Sequence, residues 1–291
     1  INPQLPDSIY PFMGLTGAGL ALKLAESIIE KLDLDKSILD DLYSLATLGT
    51  IADIGALTGE NRGIVNKGLK SIGQKPLMGI KALSIASGKK NTYLNVKDLS
   101  WNIIPRLNST GRMGDPKLSY DILTTNEYPD AVEKAKQIEE HNILRREETQ
   151  KGFKTALSSL EPGPIYIAQD KSFHWGIIGL LANRIAGRFN KPAIVISEGE
   201  EYSLGSARSI ENFDVGNIIE KTGGLIGGFE KFGGHAQAAG FTIENSKISL
   251  FKKTIRELSR NYAIENNIQD TNNSLKIDCK LELDDLPKEI L

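Results

Sequence analysis

The sequence predicts an α/β protein in two lobes joined by a long helix, and three observations predict it. The opening part carries apolar residues at helical spacing with little sign of a strand. Residues 129–160 form one uninterrupted run between a start signal and a hard stop. From residue 165 onward, short β-branched runs alternate with helical segments.

The elements follow in order. Gly14-Leu15-Thr16-Gly17-Ala18-Gly19 leads into Leu20, Leu22, Leu24, Ile28 and Ile29, which predicts a helix over 14–31 entered through a glycine-rich turn. Such a turn alone is a weak phosphate signal, and no strong strand precedes it, so helix packing is preferred. Residues 37–48 read as a buried helix ending near Gly49, and 61–73 as another with Gly73 as its stop. Short helical pieces follow over 76–87 and 116–124. A sheet in this part would need strands upstream of it. Between those pieces, Asn108-Ser109-Thr110-Gly111-Arg112-Met113-Gly114-Asp115 reads as a loop suited to lie beside a backbone ligand. A loop salt bridge of Arg112 with Asp115 is the alternative.

Pro129 and Asp130 begin the long run, and Pro162-Gly163-Pro164 ends it. Some thirty residues of helix span about 45 Å. The stretch 139–148 is largely polar, the pattern of a helix that bridges domains. Ile165-Tyr166-Ile167-Ala168 and Ala193-Ile194-Val195-Ile196 read as buried strands, with a helix from Gly176 to Phe189 between them. Leu204 to Ser209 reads as a strand end, and 214–221 as a helix. Gly223, Gly224, Gly227 and Gly228 lead to a Gly-Gly-His turn, then a strand at Phe241-Thr242-Ile243 and a closing helix over 246–262. Residues 265–274 suit a linker. Beyond it Leu275, Ile277, Cys279, Leu281 and Leu283 alternate with polar residues, a half-buried strand opening a third domain.

A formal charge of -2 excludes a general positive field, so any nucleic-acid site must be a local cleft. Cys279 is the only cysteine, which rules out an intramolecular disulfide and suits a reducing cytosol. No apolar run approaches the roughly 18 residues of a membrane span, and no signal peptide opens the chain. The start at Ile1 and the stop at Leu291 lead us to expect a piece of a longer protein.

Four places can carry chemistry. Asp53 sits among Leu48, Ile51 and Ile54, and an ionised carboxylate in an apolar frame is costly unless paired or bound to a metal. An N-cap aspartate is the alternative. His174-Trp175-Gly176 follows a strand and opens a helix, as a packing residue or as cleft lining. Ser206, Arg208 and Ser209 put hydroxyls beside a guanidinium, the group that binds phosphate through two parallel hydrogen bonds. An ordinary surface arginine is the alternative. Gly233-Gly234 carries no Cβ and can reach φ > 0, so the turn before His235 can aim successive N–H groups into an anion-binding nest. The other reading is a tight turn with a capping histidine.

Phe232-Gly233-Gly234-His235 with Ala238-Ala239-Gly240 resembles the signature of the DHH-associated domain of DHH phosphoesterases. Leu48-Gly49-Thr50-Ile51-Ala52-Asp53-Ile54, continuing through Leu57-Thr58-Gly59-Glu60-Asn61-Arg62, resembles the last metal motif of RecJ-type single-strand exonucleases. Pro105-Arg106-Leu107-Asn108-Ser109-Thr110-Gly111-Arg112-Met113 resembles that family's arginine motif. Around His174 the family pattern W-H-x-G-V-x-G is altered, with Phe173 in place of the tryptophan and Trp175 after the histidine.

The resemblance implies residues 1–128 as the C-terminal part of a DHH domain, 129–161 as a connecting helix and 162–264 as a DHH-associated substrate-binding domain. Residues 265–291 become a linker and the start of a truncated OB-like domain. It further implies a 5′-to-3′ exonuclease on single-stranded DNA in repair and recombination. Mn2+ or Mg2+ would be held in part by Asp53, the catalytic carboxylate of this stretch. The remaining aspartates and the Asp-His-His motif would lie upstream of Ile1, leaving this piece inactive alone. Asn108, Arg112, His174, Ser206, Arg208, Ser209, Gly233, Gly234 and His235 would bind the nucleic acid. A single-strand-binding protein or a helicase would be a protein partner, in the cytoplasm and away from membranes. One alternative keeps this architecture without catalysis, as a scaffold or binding protein in replication. Another is a smaller phosphodiesterase acting on nanoRNA or cyclic dinucleotides, against which the long helix, the Gly49-Thr50-Ile51-Ala52-Asp53 frame and the start of a third domain argue.

Overall fold

The computed structural model describes residues 2–89, 93–268, 277, 279 and 280. It divides into two compact units, Ile1–Glu148 and Thr149–Leu291. The expected alternating strand of a third domain lies outside the described residues, apart from Ile277, Cys279 and Lys280.

The first unit is helical. Its elements are α1 (Gly17–Lys31), α2 (Leu39–Ala52), α3 (Gly59–Gln74), α4 (Met78–Ala86), a single turn α5 (Val96–Asp98), α6 (Ile104–Met113) and α7 (Lys117–Thr124). Thr16 caps α1, its hydroxyl accepting the Gly19 amide at 3.2 Å. The expected end of the second helix at Gly49 is passed: α2 continues to Ala52. Gly49 lies inside it because a Cβ there would come within 2.4 Å of the Ala18 Cβ. The glycine serves close approach of two helices, not termination.

The expected loop over 108–115 is corrected over 108–113. A π-helical stretch, Leu99–Ile103, runs straight into α6, and Pro105 sits in the first turn, where a missing N–H costs nothing. Ser109 and Thr110 are tolerated in that helix because they bond its own carbonyls, Arg106 O at 2.6 Å and Leu107 O at 3.0 Å.

The long run forms one continuous helix, α8 (Tyr128–Ser158), of 31 residues. Its polar composition hides a buried stripe. Ala131, Ala135 and Ile138 pack into the first unit's core with Ile80, Leu83, Leu99, Ile103 and Ile122, at the i, i+4, i+7 spacing of one helix face. Phe153 and Ala156 near its other end are buried in the second unit.

The second unit holds a five-stranded mixed sheet in the order β1-β2-β3-β5-β4. The strands are β1 (Tyr166–Asp170), β2 (Ala193–Ser197), β3 (Tyr202–Arg208), β4 (Lys231–His235) and β5 (Ala238–Glu244). The first two are parallel, joined through α9 (Ile178–Phe189), as the strand-helix-strand reading expects. The remaining pairings are antiparallel. The helices α10 (Val215–Leu225) and α11 (Ile248–Glu265) complete the unit. One sheet face carries the core of Ile194, Ile196, Ala207, Ala239, Phe241 and Ile243 with Val215, Ile219, Phe251 and Ile255 of these two helices.

The Gly-Gly-His segment is a strand, not a turn. Gly233 and Gly234 lie within β4, and Ala236-Gln237 make the two-residue hairpin to β5. Neither glycine has positive φ, which excludes the expected nest.

Glu161, just before the sheet, accepts from Lys252 Nζ at 2.7 Å and Arg256 Nη2 at 2.5 Å, fastening α11 to the segment that leads into β1. Burial alone would raise the Glu161 carboxyl, but those two hydrogen bonds outweigh it and hold it below the usual glutamate range. A depressed carboxylate stabilises the fold fully above the unfolded-state value and loses that contribution as pH falls through the folded one. Melting temperature should therefore fall more steeply in the wild type than in Glu161→Gln between neutral pH and about pH 3. Parallel acid limbs would show that the pair contributes nothing.

Candidate nucleic-acid interface

The core face of the sheet fixes the other face by parity, because directly paired residues of antiparallel strands share a side. Arg208 pairs with Ala238, and Ala238 with His235; Ser206 pairs with Gly240, and Gly240 with Gly233. Ala207 and Ala239, one residue on, point into the core. Ser206, Arg208, Gly233 and His235 therefore lie on one face. The Arg208 and His235 backbones are two strand spacings apart, roughly 10 Å. Between them the floor is Ala238 and Gly240. A Cβ on Gly233 would meet nothing within 4 Å.

The N-terminal turn of α9 closes one side of this face. A Cβ on Gly179 would approach Arg208 Nη2 at 3.0 Å and Ser206 Oγ at 3.3 Å. Arg208 is oriented by its own strand, donating to the Ala207 carbonyl at 2.7 Å and to Ser206 Oγ at 3.3 Å. The Leu180 amide turns back to the Ile177 carbonyl at 2.8 Å, and Ile177 at the N-cap offers no side-chain oxygen to the Ile178 and Gly179 amides. A guanidinium thus faces the positive end of a helix dipole, an arrangement that an anion placed between them relieves.

The two histidines are held alike. His174 Nδ1 accepts the Gly176 amide at 3.0 Å, and His235 Nδ1 accepts the Gln237 amide at 3.3 Å. With Nδ1 an acceptor, the neutral ring carries its proton on Nε2, which is left as a donor. Ser209 is corrected. Its hydroxyl donates to the Phe213 carbonyl and its amide to the Gln237 carbonyl at 3.0 Å. The proton a phosphate would need is already committed to a turn.

In the first unit, Asn108 and Arg112 stand four residues apart on α6, with Asn108 exposed and Arg112 partly buried. Burial pushes the Arg112 guanidinium below its ordinary value. Arg145 of α8 is lowered by burial and then by Arg112, Arg146 and Arg106. Arg106 is neutralised by Glu139, Nε to Oε2 at 2.5 Å. Arg145 was missed in the sequence because no linear spacing ties it to the arginine motif; the fold alone brings the two helices together.

Asp53 is neither buried nor an N-cap. It is exposed at the C-cap of α2. Leu48 and Ile51 of the supposed apolar frame point into the core, while Ile54 is 89% exposed. The Ile54 amide bonds the Ile51 carbonyl at 3.1 Å and the Gly55 amide the Thr50 carbonyl at 3.0 Å, which is a Schellman closure. Its left-handed position holds Ile54, at φ 54, where glycine or asparagine is usual. Behind it Thr16 and Thr50 hydroxyls pair at 3.0 Å, and the Asn61 amide clamps the Gly14 and Ala56 carbonyls at 2.8 and 3.1 Å. Among the described residues no three His, Cys, Asp or Glu side chains gather to hold a metal ion. The residues present do not build such a centre by themselves.

Residues 163–261 match the DHHA1 domain family. The single-stranded-DNA-specific exonuclease RecJ of Bacillus subtilis is 30% identical over 271 residues, covering 91% of this chain and 33% of that protein. The RecJ of Escherichia coli is 31% identical over 279 residues, covering 89% of this chain and 48% of that one. RecJ from Thermus thermophilus, solved in complex with Mn2+, superposes with a TM-score of 0.77 at 25% identity, covering 88% of this chain and 37% of that chain. The chain is RecJ-like. It spans a third to a half of the curated relatives it matches, 33% and 48% for these two. The mixed α/β architecture agrees with the RecJ fold.

Two outcomes test the local geometry. Ile54→Gly should raise stability by about 1 kcal/mol, since it removes left-handed strain from an exposed β-branched residue; an unchanged denaturation midpoint would show that no strain is stored there. Gly234→Ala should destabilise by about 1–3 kcal/mol, because its Cβ would meet Ala239 Cβ at 2.6 Å and the Ala238 carbonyl oxygen at 2.7 Å. Gly233→Ala should melt like the wild type, and equal losses in both variants would contradict the assigned faces.

Proposed function

We propose that this chain is the strand-gripping part of a metal-dependent 5′-to-3′ exonuclease acting on single-stranded DNA. The observation that carries the proposal is the meeting of the Arg208 guanidinium with the α9 N-terminus over an open sheet face of small residues. A phosphodiester is the anion that suits it. Arg208 neutralises its charge, and the Ile178 and Gly179 amides of α9 and the Nε2–H of His235 and His174 donate to its oxygens. Gly233, Ala238 and Gly240 let the backbone lie close to the sheet. Residues 163–261 do this work, while Arg112 and Arg145 form a second basic group in the first unit, with the neutral Asn108 one turn before Arg112.

Asp53 contributes one carboxylate oxygen to a Mn2+ or Mg2+ centre, hard cations that prefer oxygen ligands. Its placement supports this. A carboxylate at the negative end of a helix is unfavourable unless a cation compensates it, and strained residues of the Ile54 kind cluster where geometry matters. The remaining ligands belong to the length that the relatives have in addition. The lone thiol Cys279 is exposed and free, as suits a reducing cytosol.

Residues 1–291 alone should bind a 5′-labelled single strand and leave it intact with Mn2+, whereas the full-length protein should degrade it. Robust digestion by residues 1–291 would refute the shared metal centre. Arg208→Ala should weaken single-strand binding by about 1–3 kcal/mol and flatten its salt dependence, through loss of a charge-assisted contact and of released counterions. Unchanged affinity and salt slope would remove Arg208 from the site. Asp53→Ala should abolish turnover of the full-length protein with its melting temperature kept, because the side chain is exposed.

A further inference from the structure

Trp175 is one of two tryptophans in the chain, and it is 56% exposed. Nothing in the fold requires an indole there. The turn that carries it is anchored by its neighbours: Phe173 is 2% exposed, Ile177 is fully buried, and the Phe173 carbonyl accepts the Ser197 hydroxyl at 2.6 Å. Trp175 stands out from a rigid turn as a large apolar plane in water.

That plane has a defined orientation. The indole stacks on the His174 ring with centroids 5.4 Å apart and planes 26° from parallel. The imidazole is itself fixed by the hydrogen bond that Nδ1 accepts from the Gly176 amide at 3.0 Å. One indole face therefore rests on a held ring, and the exposed remainder faces solvent. Three residues later α9 begins, and in its first turn Gly179 lies against Arg208 and Ser206. A flat aromatic surface thus stands four residues before the glycine that lies against a guanidinium. Those are the two chemistries of a nucleotide, a π-face and an anion.

We propose that Trp175 is a base-stacking platform that receives an unpaired nucleobase of the strand whose phosphate Arg208 holds. This rests on the phosphate reading of Arg208 given above. Every base has a π-face, so the platform is tolerant of sequence; it selects instead for single strands, whose bases are free to leave the stack. His174, besides its Nε2–H contact to the phosphate, lies beneath the indole and orients it.

The test uses residues 1–291 in metal-free buffer, with Trp101→Phe as background so that Trp175 is the only indole. Two probes of equal length are compared, an oligothymidylate and a fully abasic strand, by anisotropy for affinity and by indole emission for contact. The expected results are quenching by the oligothymidylate alone and weakening of its binding by Trp175→Ala on the order of tenfold. Abasic binding should be untouched, and Trp175→Phe should restore most of the loss. Arg208→Ala should weaken both probes. If Arg208→Ala weakens both but the indole is not quenched, or Trp175→Ala weakens both probes equally, stacking is wrong while the phosphate site stands. If neither probe binds, both readings fall.

Discussion

The second unit depends on the pairing register of β3 with β5. Gly205 faces Phe241 directly, and the phenyl ring fills the space a side chain at 205 would need: a Cβ there would lie 2.0 Å from Phe241 Cζ. Phe241 is in turn held by Phe251 and Phe229, with ring centroids 4.9 and 5.0 Å away. A slip of one residue would bring Leu204 or Ser206 under that ring and turn Arg208 toward Ala207's place in the core. Steric exclusion on the apolar face thereby decides which residues meet on the polar one. Arg208 and Ala238 share a row because β3 offers Phe241 only one glycine to lie on, and the β4–β5 hairpin adds His235 to it.

The two candidate sites share an electrostatic feature despite belonging to different units. Asp53 places negative charge at the negative end of α2, and Arg208 places positive charge at the positive end of α9. An ion of opposite sign would complement each arrangement. The Schellman closure around Ile54 fits this view. An exposed β-branched residue in the left-handed region, at φ 54, is not a choice that stability explains.

Small residues shape the molecule in two distinct ways. Gly49 and Gly68 let helices of the first unit touch, the latter against Thr47 Oγ1 and the Tyr43 carbonyl, where a Cβ would meet atoms at 2.0 and 2.4 Å. Gly233 lies against nothing, and Gly240 has only the Gly205 carbonyl oxygen at 3.8 Å. The first kind answers to packing and the second leaves room for something outside the protein. Sequence does not separate them, because both are simply the absence of a Cβ; only the surrounding atoms do.

What the sequence determined by itself was local and periodic. Apolar spacing marked α1, α3, α7 and α9, β-branched runs marked β1 and β2, and Pro162-Gly163-Pro164 set the end of the long helix, because each signal acts within a few residues of its cause. The motifs also pointed to Asp53, Arg112, Arg208 and His235 as chemistry-bearing positions. Their surroundings belonged to the tertiary structure. Asp53 proved exposed because Leu48 and Ile51 turn inward on α2 while the chain leaves the helix at Asp53. Asn108 to Met113 proved helical because Ser109 and Thr110 could return their hydroxyls to the backbone. Gly233 and Gly234 proved extended because β5 offered them a pairing partner. Arg145 became visible only through side chains that no linear spacing connects, and the exposure of Trp175 only through the fold. Burial, pairing and facing are relations between distant parts of the chain, and folding alone creates them.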